Sequence, residues 1–171
     1  RILANDGITK GGQETLEAAG FEVITENVPQ NELNQALKDY DGVLVRSATT
    51  IRKETIDACP NIRLIGRGGV GMDNIDVDYA REKGLKVINT PTASSASVAE
   101  LVFAHLFGCV RHLHSSNRNM PLEGDGKFKE LKKTYSKGTE LREKTLGIVG
   151  FGRTGQEVAK IAIGIGMNIS V

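Results

Sequence analysis

Thr145-Leu146-Gly147-Ile148-Val149-Gly150-Phe151-Gly152-Arg153-Thr154-Gly155 is the stretch on which the reading of this chain turns. The apolar run from Leu146 to Val149 predicts a short buried strand. It leads straight into Gly150-x-Gly152-x-x-Gly155, and a helical pattern follows at once. That order carries more than the glycines do, because the chain holds 20 glycines and this spacing also arises by chance. Between a strand and a helix, Gly150 permits the tight turn, Gly152 lets the backbone approach a pyrophosphate, and Gly155 lets helix pack closely on strand. The helix then aims its unpaired N–H groups and positive dipole end at the phosphates. The competing reading is a glycine-rich turn with no ligand; the strand before and the helix after favour a dinucleotide. An acidic residue for the ribose hydroxyls belongs about 20 residues on. The next strand opens at Asn168-Ile169-Ser170-Val171, so that residue is expected past Val171, and NAD is not separable from NADP on this motif alone.

Outward toward the N-terminus, short apolar runs alternate with helical segments. Strands are predicted at 2–4, 21–24, 43–45, 62–65 and 85–88. Helices are predicted at 13–19 (closed by Gly20), 31–38, 53–58 (stopped by Pro60) and 77–83 (closed by Gly84). Such alternation implies right-handed crossovers and a parallel α/β sheet covered on both faces. Ligands of these sheets bind beyond the C-terminal strand ends. Strand three ends there in Arg46-Ser47, strand four in Gly66-Arg67-Gly68-Gly69-Val70-Gly71, and strand five in Asn89-Thr90-Pro91. Two arginines beside a run of free backbone N–H groups suit a carboxylate or a phosphate. Either arginine alone reads equally well as a surface charge.

Ser94 to Asn117 is predicted as the longest helix, with Ser97 and Glu100 spaced as a capping box. Val98, Leu101, Val102, Leu106, Cys109, Val110 and Leu113 form its apolar stripe, which Phe103 and Phe107 widen. Burial on two sides, between domains or against a second subunit, is the expectation. His105, His112 and His114 form no pair four residues apart, so no metal site is assigned. Residues 118–144 are lysine-rich, with Gly124-Asp125-Gly126 and Gly138 as breaks, and read as a solvated connector. Hydrophobic content of 39%, charged content of 25% and a net charge of +1 are ordinary for a globular protein. They give no reason to expect nucleic acid or an acidic membrane surface. No apolar run approaches the roughly 20 residues of a membrane span, and no signal-like stretch opens the chain. Cys59 and Cys109 are isolated, without metal or disulfide spacing, and suit a reduced, cytoplasmic protein.

Val45-Arg46-Ser47, Gly66 to Asp76, Asn89-Thr90-Pro91, Ser97 to Glu100 and Lys144 to Gly155, in this order, make the chain resemble the D-isomer-specific 2-hydroxyacid dehydrogenases along essentially its whole length. The resemblance implies a flavodoxin-like parallel-sheet substrate domain, matched by residues 1–92. It also implies the start of a Rossmann NAD-binding domain, matched by residues 93–171. It further implies NAD as cofactor and a small phosphorylated 2-hydroxy acid, 3-phosphoglycerate, as substrate. Another D-2-hydroxy acid is the alternative, as is a non-enzymatic NAD-sensing corepressor. By the same resemblance Gly69, Val70 and Gly71 hold the substrate carboxylate, Arg46 and Ser47 lie near the phosphate, and Arg67 and Asn74 shape the loop. Val70 also approaches the nicotinamide, while Gly150, Gly152, Arg153, Thr154 and Gly155 meet the pyrophosphate. Ala93-Ser94 departs from the Gly-Asn of many relatives, and Thr154 stands where Ile is common. The family's Arg, Glu and His for catalysis are expected downstream of Val171, so no catalytic residue is assigned and this chain alone is expected to be inactive. A homodimer or higher homo-oligomer is implied; no membrane or nucleic-acid partner is.

Overall fold

The computed structural model describes residues 1–171, which divide into two compact units, Arg1–Ala93 and Ser94–Val171. The first unit is built on strands β1 (Ile2–Ala4), β2 (Val23–Ile24), β3 (Gly42–Val45), β4 (Leu64–Arg67) and β5 (Lys86–Asn89), all parallel. Their spatial order is β2-β1-β3-β4-β5, the flavodoxin-like arrangement. Helices α1 (Lys10–Ala18), α2 (Leu33–Ala36), α3 (Lys53–Ala58) and α4 (Val77–Glu82) make the crossovers. Thr9 caps α1 by accepting the Gly12 N–H at 3.2 Å. Gly20 and Gly84 end α1 and α4 at φ of 91° and 84°, in the left-handed region where a side chain is disfavoured.

One face of the sheet carries the core. Val43, Ile65 and Val87 from three strands pack with Leu33, Leu37, Ile51, Ile56 and Ile62. The opposite face is covered at β1, where Ile2 and Ala4 are buried, but departs from the expectation of full cover toward β5. Leu44, Gly66 and Ile88 stand in one register row, and Ile88 is 44% exposed. Strand β4 also lies two residues later than predicted. Ile62 is held in a turn by its N–H to the Cys59 carbonyl (3.2 Å), and Gly66 and Arg67 extend the ladder beside Leu44 and Val45.

In the second unit, β6 (Thr145–Gly147) and β7 (Asn168–Ser170) pair in parallel, with α7 (Arg153–Gly164) between them. Helix α5 (Ser95–Val110) packs on α7 through Ala99, Phe103, Val158 and Ala162. Three expectations fail here. The capping box is not made: Ser97 lies inside α5, and Ser94 at the N-cap makes no side-chain capping bond. The helix predicted to Asn117 breaks at His112, whose φ of 55° is left-handed, and α6 (Leu113–Tyr135) follows. The supposed connector is therefore helical as far as Tyr135, with Pro121 inside it.

The break read at Gly124–Gly126 falls at Lys127, whose φ/ψ of −122°/21° is not helical. There the chain folds back. The Tyr135 hydroxyl accepts from Asn119 Nδ2 (2.7 Å) and donates to the Ser115 carbonyl (3.3 Å), contacts no straight helix permits. Within the single chain α5 is buried on one side, against α7, and its other side is open: Leu101 is 56% and Phe107 43% exposed. No single helix is long and apolar enough to cross a membrane.

Candidate functional site

Two structural features present groups whose chemistry suits an anion, one in each unit. In the first unit, the loops leaving β1, β3, β4 and β5 share the C-terminal edge of the sheet. They border a cavity of about 770 Å³ whose lining includes Asp6, Arg46, Arg67, Gly68, Asn89 and Thr90. Its floor is the row Leu44, Gly66 and Ile88, in which Gly66 is buried, Leu44 half-buried and Ile88 exposed. Most of the volume therefore stands over an open apolar sheet face, which parallel sheets ordinarily cover. The polar groups lie at one end.

Arg46 and Arg67 both line that end. Neither guanidinium is in an ion pair, and Arg67 Nε is buried with no hydrogen-bond partner. Arg67 lies across the loop: a Cβ built on Gly69 would stand 1.5 Å from its Nη1. The glycine loop itself is only partly free. Gly68 N–H donates to the Val45 carbonyl (2.8 Å) and Gly69 N–H to the Arg67 carbonyl (3.0 Å), while Val70 and Gly71 N–H have no acceptor within the chain. Thr90 N–H to the Gly69 carbonyl (3.1 Å) and Asn89 Nδ2 to the Val70 carbonyl (2.7 Å) tie β5 to the loop.

Ser47, Gly69, Val70, Gly71 and Asn74 do not line the cavity. Ser47, Val70 and Gly71 are exposed. Asn74 is 7% exposed, and its Nδ2 donates to the carbonyls of Arg46 (2.9 Å) and Thr49 (2.6 Å), so its amide organises the turn after β3.

Sequence reasoning missed Asp6. Its Oδ2 accepts from the N–H groups of Arg46 (2.6 Å) and Thr49 (3.1 Å), and its Oδ1 accepts from the Thr49 hydroxyl. Partial burial pushes its carboxyl up. The Thr49 hydroxyl and the Arg46, Thr49 and Ala48 N–H groups outweigh that and hold it below the ordinary aspartate range. The only sequence signal was an acidic residue two positions after a strand, and Asn5-Asp6-Gly7 reads more simply as a turn.

In the second unit, Gly150 takes a φ of 94° after β6, and Gly152 is the N-cap of α7 without a side-chain cap. The first helical donation in this turn is Gln156 N–H to the Gly152 carbonyl (2.9 Å), which leaves the N–H groups of Arg153, Thr154 and Gly155 unpaired. A Cβ on Gly152 would meet nothing within 4 Å, whereas one on Gly155 would stand 2.5 Å from the Gly150 carbonyl oxygen. Space in front of the helix, free donors and close helix-on-turn packing together fit the pyrophosphate of a dinucleotide.

The sequence matches the family described as D-isomer specific 2-hydroxyacid dehydrogenase, catalytic domain, over residues 2–169. It is 42% identical to a hydroxypyruvate reductase of Thermotoga maritima, across 99% of this chain and 54% of that protein. It is 38% identical to a D-3-phosphoglycerate dehydrogenase of Methanocaldococcus jannaschii, across 99% and 31% respectively. The chain thus spans between about a third and about half of these relatives' lengths. Among solved structures, a protein of Thermus thermophilus superposes with a TM-score of 0.86 at 29% identity, over 99% of this chain and 54% of that one. The NAD+-bound 3-phosphoglycerate dehydrogenase of Entamoeba histolytica superposes with a TM-score of 0.74 at 34% identity, over 99% and 52%. The motif order, the β2-β1-β3-β4-β5 sheet and these matches agree: the chain belongs to the D-isomer-specific 2-hydroxyacid dehydrogenase family.

Proposed function

We propose that this chain forms the substrate-binding unit (residues 1–92) and the opening of the NAD-binding unit (residues 93–171) of a cytoplasmic NAD-dependent dehydrogenase. Its proposed substrate is D-3-phosphoglycerate, oxidised to 3-phosphohydroxypyruvate for serine synthesis. The observation that carries this reading is the pair Arg46 and Arg67, two guanidinium groups without ion-pair partners on one cavity. A phosphorylated acid brings two anions to match them. Bound NAD would supply the hydride acceptor. The chain's own part is to bind and orient the acid with Arg46, Arg67 and the N–H groups of Val70 and Gly71, and to hold the pyrophosphate at Gly152 to Gly155. The names of relatives support both this substrate and a second one. The Thermotoga maritima relative is a hydroxypyruvate reductase, which favours an unphosphorylated acid whose carboxylate faces Arg46.

Titrating the chain with 3-phosphoglycerate and with D-glycerate, followed by the amide resonances of Gly68 to Gly71, separates the two. The phosphorylated acid is expected to bind more tightly. Arg46→Gln is expected to remove about tenfold of that affinity, the weight of one charge-assisted hydrogen bond. Equal affinities for both acids, each unchanged by Arg46→Gln, would sink the phosphorylated reading.

We further propose that the chain assembles with a second copy of itself through α5 and α6. Leu101, Phe107, Leu113, Leu122 and Phe128 are 43–84% exposed, and α6 buries no residue. Exposed faces this apolar mark interfaces. Sedimentation equilibrium is expected to give twice the 18.4 kDa chain mass; a monomer at high micromolar concentration would refute it.

A further inference from the structure

We infer that Asp6 is a positioning residue for Arg46: it fixes the backbone of the turn after β3 and leaves the Arg46 guanidinium free for the anion of the substrate. The inference rests on the proposed anion site, and it begins from topology. In the order β2-β1-β3-β4-β5, the chain leaves β1 toward β2 and leaves β3 toward β4. The two loops diverge at their C-terminal ends, and the crevice between them is where such sheets take ligands. Asp6 follows β1 by two residues and stands on one side of that crevice. Arg46 follows β3 directly and stands on the other.

The carboxylate spans the gap. It takes the Arg46 N–H at 2.6 Å, the Thr49 N–H at 3.1 Å and the Thr49 hydroxyl. Its neighbour Asn5, 3% exposed, donates through Nδ2 to Thr49 Oγ1 at 2.8 Å. From the other side, Asn74 Nδ2 donates to the Arg46 and Thr49 carbonyls. Arg46 is thus held at both its N–H and its C=O while its side chain stays exposed.

The chemistry of this choice matters. A carboxylate lining the same cavity as two guanidinium groups would ordinarily pair with one of them and cancel its charge. Here three donors from the turn occupy it, and Asp6 forms no ion pair. Its acceptor capacity goes into geometry, and both arginines keep their charge for a ligand. A turn held on two sides also keeps Arg46 from moving with each rotation of the backbone, so less freedom is lost when the anion binds.

The test is a double-mutant cycle on the full chain, with 3-phosphoglycerate as ligand and amide resonances as the readout. Asp6→Asn keeps the shape but places an NH2 or an uncharged oxygen against the N–H donors. It is expected to weaken binding by about tenfold, comparable to Arg46→Gln. In the Arg46→Gln background, Asp6→Asn is expected to cost nothing further, because the residue it positions is gone. Losses that multiply in the double variant would overturn the inference and leave Asp6 as a general support of the fold. Full affinity in Asp6→Asn alone would overturn it as well.

If Arg46→Gln itself leaves 3-phosphoglycerate binding intact, the anion-site reading fails first and takes this inference with it. NAD binding at Gly152 to Gly155 should be unchanged in every variant and reports an intact second unit. Should Asp6→Asn unfold the first unit, Thr49→Val carries the same test. It removes one donor from the carboxylate and keeps both N–H groups, and its loss must likewise vanish when Arg46 is absent.

Discussion

Replacing Gly155 by valine is expected to weaken NAD binding more than about a hundredfold, the sum of overpacking and misplaced charge-assisted donors. The reason is a contact with no flexible partner. A Cβ at this position would stand 2.5 Å from the carbonyl oxygen of Gly150 and 3.3 Å from Ile148 Cγ2. The oxygen belongs to the backbone of the turn, so it cannot rotate away. Relief requires α7 to withdraw from the turn, and with it move the unpaired N–H groups of Arg153 to Gly155. The helix is not free to withdraw at low cost, because Val158, Ala159 and Ala162 behind this point are 7%, 5% and 0% exposed. Overpacking of this kind costs about 1–3 kcal/mol, so a lower thermal midpoint should accompany the lost binding.

Gly152→Ala makes the informative comparison. Its Cβ meets nothing within 4 Å and its φ of −74° suits any residue, so stability should hold while the methyl obstructs the approach of a phosphate. Calorimetry with NAD beside thermal denaturation checks both variants. Wild-type affinity in Gly155→Val would mean that the turn does not carry the dinucleotide.

The contrast between these two glycines marks how far the sequence alone reaches. Their spacing after a strand was legible, because the strand–turn–helix order is local. So were the five strands of the first unit, since each is an apolar run bounded by turn residues. What escaped depended on partners distant in sequence. Ile62 is as apolar as Leu64 and Ile65, but the end of α3 captures it and moves β4 along by two residues. Nothing in Arg111-His112-Leu113 announces a break, yet the left-handed His112 ends α5 there.

Pro121, Gly124 and Gly126 argue locally against a helix. The segment is helical all the same, and it folds back so that Tyr135 meets Asn119 across 16 positions of sequence. In the site, Arg46 and Arg67 were legible as charges at strand ends. The role of Asp6 was not, because it exists only once the sheet order has placed the end of β1 beside the turn after β3.

Gly69→Ala is expected to cost more in binding than in stability. The added Cβ would stand 1.5 Å from Arg67 Nη1, 2.5 Å from Cζ and 3.3 Å from Nε, and Gly69 sits at a φ of 155°. Unlike the neighbour of Gly155, this one is the end of a long side chain. The clash resolves by turning the guanidinium off the loop, and the fold survives. What remains is the strain of a side chain in a glycine-favoured conformation, about 1–3 kcal/mol, which lowers the midpoint by several degrees. The proposed anion site loses more. The displaced guanidinium was worth about 1.5–3 kcal/mol as a charged donor, and any relaxation of the backbone carries the free N–H groups of Val70 and Gly71 with it.

Together these losses should weaken 3-phosphoglycerate binding by more than about a hundredfold. Arg67→Ala in the same background settles which loss dominates. With the guanidinium gone, the methyl meets no clash but the backbone strain at position 69 stays, so neither stability nor affinity should return. If the double variant instead regained affinity, Arg67 would be an obstruction in the loop, and the anion would have to be held by Arg46 and the backbone alone.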